Sequence, residues 1–322
     1  MSSTWLPLLL FKSSVDSMSE QACFNPSRPS TCVPLGSRIL FLGDSVTRYQ
    51  YLSLVYLLQR GVPLASPDAT SHGSDIRHPL VGETWSSWNE FFETTTADLA
   101  PHEICDCFRA RDWKAHRGSH IDMFENRFFF SPRMNVSVTF ISVFGFFPLT
   151  GRLWPIGSSL PFKNQARTIN LGRRSAPELF HNRTLFDSFI PFNWRLSWVD
   201  CLAHFVRGLA PAPPNIILMN SGHWAPIGFR HTEFVRVLRH YARKITKCAI
   251  WQTTTPSRNN TTQGGDAVPR MLFKNLIFDT AEVLHHLQIR DYIDNIHFVP
   301  GVYNLLNERL LHHLHTTSTC LM

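Results

Sequence analysis

Apolar runs with strand character alternate along this chain with segments of helical spacing, and that alternation constrains its fold more than any other feature. Arg38–Leu42 carries Ile39, Leu40, Phe41 and Leu42 in succession, as a strand buried on both faces does. Val46–Arg60 follows as a helix with Leu52, Val55, Tyr56 and Leu58 on its apolar side, stopped by Gly61-Val62-Pro63. Asn215–Met219 returns to a buried strand, Phe229–Lys244 reads as helix and Cys248–Thr253 as strand. Met271–Leu287 and Leu305–Leu314 read as the last two helices. Arg127–Phe130 and Val136–Phe144 flank Ser131-Pro132-Arg133-Met134-Asn135 in a hairpin-like pattern. Strands that take turns with helices predict an α/β protein whose central parallel sheet is covered on both faces.

With 322 residues, 43% hydrophobic and 17% charged, the chain has enough apolar material for a large core. Residues 1–35, rich in Ser and Pro, read as an irregular N-terminal segment, and 36–322 as one domain with loop-rich insertions near 63–120 and 148–213. The net charge of +7 raises polyanion binding. The cations are scattered, with one local cluster at Arg109, Arg111, Lys114 and Arg117. No RNA- or DNA-reading signature accompanies them, so a solvated basic surface is expected and no nucleic-acid partner.

The seven cysteines form no pair of Cys-x-x-Cys motifs. Cys23 and Cys32 bracket a short loop that a disulfide can close, Cys105 and Cys107 are expected to pair with distant partners, and the odd total leaves a thiol over. Asn135, Asn182, Asn259 and Asn260 head glycosylation triplets, which fit a secretory route. Trp5–Phe11 is apolar but short, interrupted by proline and without a basic stretch before it. No segment approaches the roughly 20 apolar residues of a membrane span.

The chemistry centres on Gly43-Asp44-Ser45, at the turn between the first strand and the first helix. A serine there can act as a nucleophile, and N–H groups at the helix start can stabilise an oxyanion beside it. Its hydroxyl needs a base, and the base works better when an acid holds its tautomer. Asp294 and His297, three residues apart before Pro300, can supply both, the carboxylate on Nδ1 and Nε2 toward Ser45. Asp44 reads as ordering the turn. The Gly-x-Ser-x-Gly elbow is absent, as are Gly-x-Gly-x-x-Gly, Walker A and His-Glu-x-x-His motifs, so no cofactor is called for. His312, His313 and His315 lack the acidic or Cys companions of a metal site and read as a polar helix end.

Phe41-Leu42-Gly43-Asp44-Ser45-Val46-Thr47-Arg48 resembles the first block of the SGNH (GDSL) hydrolase superfamily, nearest the PC-esterase and trichome-birefringence-like branch. Asn220-Ser221-Gly222-His223-Trp224 is similar to that branch's Asn-x-Gly-His-Trp segment, Trp251–Pro256 to its strand ending in Thr-x-x-Pro, and Asp294–His297 to its terminal Asp-x-x-His block. These anchors run from about residue 38 to 312, with no match between 148 and 213.

The resemblance implies a flavodoxin-like three-layer α/β/α fold with Ser45 as nucleophile, His297 as base and Asp294 as its partner. It implies an oxyanion hole from the Ser45 N–H, Asn220 and a glycine, for which Gly145 is the candidate. Arg48 reads either as a substrate contact or as the partner of a loop carboxylate, and His223 and Trp224 as acceptor-site lining or as packing. The implied work is on carbohydrate acyl groups, commonly acetyl, in the Golgi lumen or outside the cell, with a glycan or small ester as substrate and an acetyl donor if the enzyme is a transferase. Two rival readings are a non-catalytic carbohydrate-binding protein of this fold and a lipid-ester hydrolase.

Overall fold

A computed structural model of the chain describes residues 21–64, 88–109, 123–142, 169–171, 213–220, 222–224, 229–259, 266–318 and 320. Trp5–Phe11, Gly145, Asn182, Asn260 and nearly all of 148–213 lie outside them.

Eight strands form one mixed sheet. They are β1 (Arg38–Gly43), β2 (Glu103–Arg109), β3 (Met123–Ser131), β4 (Val136–Ser142), β5 (Ile169–Leu171), β6 (Ile216–Met219), β7 (Cys248–Gln252) and β8 (Ile277–Phe278). Their spatial order is β5-β2-β3-β4-β1-β6-β7-β8. The five strands from β4 to β8 run parallel, as the alternating pattern predicts. The other three extend the sheet in antiparallel fashion. That extension departs from a purely parallel sheet because β3 and β4 are joined by a short turn, and a tight hairpin can only pair its strands antiparallel. β1 lies between β4 and β6, so the chain leaves it on one side and returns on the other. In open α/β sheets such a reversal opens a crevice at the carboxyl ends of the strands.

Helix α1 (Ser45–Arg60) is more deeply set than an amphipathic surface helix: every residue from Ser45 to Leu58 is buried. It packs on β1 and β4 and against α6 (Pro300–Thr316), while Tyr49 meets Phe91 of α2 (Trp88–Asp98) edge-on. On the β7 side, α3 (Phe229–Ile245) packs with α4 (Ala267–Phe273).

Two expectations are corrected. Residues 103–109, inside a segment read as loop and short helix, form β2. Its charged residues at 103, 106 and 109 hide the alternation that marks a strand, and Glu103 is buried because it has charged partners. The single helix read over Met271–Leu287 is three elements. Lys274 takes a positive φ of 51° and ends α4, Ile277 and Phe278 pair with β7, and Asp279 caps α5 (Thr280–Val283). The apolar spacing was satisfied by an edge strand rather than by helical turns.

The start of the described chain belongs to the body. Cys23 and Cys32 are disulfide-bonded, and Ser30 meets His312 of α6 at 3.0 Å. Cys248 and Cys320 form a second bridge that ties β7 to the chain's end, and Cys105 is disulfide-bonded as well. Disulfides of this kind persist in oxidising compartments such as the secretory pathway and the cell exterior. Among the described residues no helix is long and apolar enough to cross a membrane.

Candidate active site

Each letter of Gly43-Asp44-Ser45 has its own structural cause. A Cβ on Gly43 would sit 2.2 Å from the Thr47 hydroxyl, so the first turn of α1 closes against β1 only over a glycine. Asp44 is fully buried and is the N-cap of α1, where Oδ1 accepts from the N–H groups of Val46 at 3.0 Å and Thr47 at 3.4 Å. Ser45 then begins the helix, and among the described residues no hydrogen bond occupies its N–H. Side chain and amide are thereby both presented at the carboxyl end of β1.

His297 arrives from far along the chain. Ser45 Oγ lies 2.7 Å from His297 Nε2, across 252 residues of sequence. His297 Nδ1 lies 2.6 Å from Asp294 Oδ2. The second carboxylate oxygen, Oδ1, accepts from the backbone N–H groups of Ile296 and His297, both at 2.8 Å. Burial opposes ionisation of Asp294, but its bond to His297 and those two N–H groups outweigh it and hold its pKa at about 2. The loop is closed by Ile293 N–H on the His297 carbonyl at 2.8 Å. Edge-on packing of the Tyr49 ring, centroids 5.3 Å apart at 88°, fixes the imidazole from the α1 side.

A third strand end adjoins this pair. Asp44 Oδ2 accepts from the N–H of His223 at 3.2 Å, in the 3-10 turn Gly222–Trp224 that follows β6. Gly222 has φ +55°, and a Cβ there would lie 1.8 Å from Asp44 Oδ2, so the two segments meet only through a glycine. The His223 ring is 3.5 Å from the Thr255 hydroxyl beyond β7. Burial, together with the nearby His297, lowers its pKa against the pull of Asp44.

Not every expected residue takes its expected position. Asn220 lies at the end of β6, but both N–H bonds of its amide point to carbonyls at the end of β7, those of Gln252 and Thr253, each at 3.2 Å. In this arrangement it clamps β6 to β7, while among the described residues the Ser45 N–H is left without an acceptor. Arg48 is 1% exposed and forms a 3.1 Å ion pair with Glu125 on β3, with its guanidinium 4.6 Å from the Tyr49 ring centre. Of its two sequence readings, the carboxylate pair is the one observed. Trp224 has its backbone in the 3-10 turn, while its side chain and all of Gly145 are outside what is described.

The sequence reading missed the charge network beneath α1. Arg127 binds Glu125 at 2.7 Å and Glu103 at 3.1 Å, and Glu103 accepts from the Tyr51 hydroxyl at 2.8 Å. All are buried, and Arg48 joins them through Glu125. Burial favours the neutral Arg127, but Glu103 and Glu125 outweigh it and raise its pKa. Glu125 and Arg127, two apart in an otherwise aromatic strand, were the one available signal: such spacing puts both on the same face.

Compared with known proteins, the chain matches no family model, and neither a curated protein nor a solved structure matches it.

Proposed function

We propose that this protein is a serine-dependent acyl-transfer enzyme of the SGNH type, acting on acyl esters of carbohydrate, with acetyl the expected group. One observation carries the reading: Ser45, His297 and Asp294 form an unbroken hydrogen-bonded relay of 2.7 and 2.6 Å at the carboxyl end of a parallel strand. A purely structural role gives no reason to assemble that order of groups from opposite ends of the chain. The α/β sheet flanked by helices is compatible with a flavodoxin-like three-layer fold, and the disulfides are compatible with a site of action in the Golgi lumen or outside the cell.

In this mechanism His297 Nε2 takes the Ser45 proton as Oγ attacks the acyl carbon. Asp294, ionised down to about pH 2, holds the Nδ1 proton and stabilises the imidazolium. The tetrahedral oxyanion forms at the N-terminus of α1, where the Ser45 N–H and the helix dipole meet it. His297 next protonates the leaving alcohol, and an acyl-serine remains. Water or a sugar hydroxyl, deprotonated by the same imidazole, then releases the acyl group. His223, held by Asp44 and Thr255 beside the relay, lines the acceptor side.

The test is fluorophosphonate labelling together with hydrolysis of acetylated xylan and an aryl acetate. The wild-type chain is expected to label at Ser45 and release acetate, and Ser45→Ala to lose both by at least about a thousandfold. Ser45→Ala with undiminished acetate release sinks the proposal, as does a folded wild-type chain that neither labels nor hydrolyses.

A further inference from the structure

Helix α3 carries basic residues along one stripe, at positions 236, 239, 240, 243 and 244, which is the i, i+3, i+4, i+7, i+8 spacing of a single face. Its other face, with Val235, Leu238 and Ala242, is buried in the core. Arg236, Arg239, His240, Arg243 and Lys244, with Leu272 of α4, line a surface groove of about 550 Å³. Among the described residues no carboxylate forms an ion pair with any of the five. The pKa of Arg239 is lowered by burial and by the like charge of neighbouring Arg243. Arg243 and Lys244 sit in the last turn of the helix, where the carbonyl ends favour cations. Arg236, Arg239 and His240 lie further back, where that explanation does not reach.

We propose that the groove between α3 and α4 is a docking site for a linear acidic polysaccharide, whose sulfate or carboxylate groups pair with the cationic stripe. This goes beyond the acyl-transfer reading and stands apart from Ser45. Charge complementarity selects an anion, and the helical spacing selects a repeating one: cations recur about every 5–6 Å along the face. A membrane surface fits less well, since Leu272 is the groove's sole apolar lining among the described residues and an interfacial helix needs an apolar face alongside its cations. Single-stranded nucleic acid fits less well too: among the described residues His240 is the groove's one ring, and no Phe, Tyr or Trp lines it as a platform for successive bases.

The experiment measures binding of the purified chain to heparin and to polygalacturonate over a salt series. Duplex DNA and vesicles containing phosphatidylserine serve as competing ligands. The wild-type chain is expected to bind at least one polysaccharide, more tightly than DNA or vesicles at equal salt. Arg236→Gln/Arg239→Gln/Arg243→Gln is expected to bind at least tenfold more weakly, with a log–log salt slope shallower by about two. A control with the same charge change elsewhere, Arg133→Gln/Arg290→Gln/Arg309→Gln, is expected to stay within about threefold of wild type. Near-UV circular dichroism checks that each variant is folded. The proposal is overturned if neither polysaccharide binds, if DNA or vesicles bind more tightly, or if the groove variant and the control lose affinity equally. None of these outcomes bears on labelling of Ser45, so the two proposals fail separately.

Discussion

Asp44 joins two strand ends: Oδ1 caps the helix that starts with Ser45, and Oδ2 receives the N–H of His223 after β6. The buried carboxylate therefore fixes the turn that carries Ser45 relative to the neighbouring loop. Asp44→Ala leaves three backbone N–H groups without their acceptor, and about 2–4 kcal/mol of stability is expected to go, combining a lost cap with orphaned donors. Asp44→Asn, with a single acceptor oxygen, should fall between. Urea denaturation of the three proteins gives the order directly, and an unchanged midpoint for Asp44→Ala contradicts it.

Asp294 is the next place where geometry makes a definite claim. Asp294→Asn can present an amide N–H to Nδ1 and so favour the tautomer that cannot deprotonate Ser45. A loss of kcat of about 10²–10⁴ with little change in KM is expected. Steady-state kinetics on an aryl acetate measure it; a change confined to KM argues for a binding role instead.

The acid limb of stability follows from the same carboxylate. Its folded pKa, about 2, lies below the ordinary aspartate value of 3.8, so the folded state binds fewer protons than the unfolded one across that interval. The stabilisation is complete above about pH 4 and is lost as pH falls through about 2. Acid titration should therefore destabilise wild type more than Asp294→Asn in that window. Thermal unfolding between pH 2 and 5 checks the sign.

Arg127 is buried between Glu103 and Glu125. Arg127→Met leaves two buried carboxylates facing each other with Arg48 as their remaining charged neighbour, and about 3–5 kcal/mol of destabilisation is expected. Pairing it with Glu103→Gln should recover part of the loss. If the double variant is no better than the single, the two groups are not coupled as their 3.1 Å contact implies.

Cys248 and Cys320 close a loop spanning 72 residues. By the chain-entropy model such a link contributes about 4 kcal/mol, more than the nine-residue link of Cys23 and Cys32. Cys320→Ser should lower the denaturation midpoint more than Cys32→Ser does. Equal shifts speak against an entropic origin.

The parts of the molecule legible in sequence are those specified within a few residues. The strand at 38–42, the helix stop at Gly61, the hairpin after Phe130 and the α3 helix all come from local spacing and turn chemistry. β2 was hidden because its buried glutamate is stabilised by residues 24 and 52 positions away, which no local window contains. The region 271–287 misled for a related reason. Its apolar residues are equally compatible with helix and strand, and pairing with β7 made the choice. The cationic stripe on α3 was visible as individual Arg and Lys residues. That it lines a groove depends on where α4 packs.

By itself, then, the sequence determined the alternation of strands and helices and the types of groups able to do chemistry, because hydrophobic period, caps and side-chain reactivity are local properties. Only the tertiary structure decided that Ser45 and His297 meet at 2.7 Å, that Arg48 turns inward to Glu125, and that the Asn220 amide clamps β7. Those outcomes rest on the parallel order β4-β1-β6-β7, which brings strand ends far apart in sequence side by side. Contacts made across such distances carry no signature in any short stretch of chain.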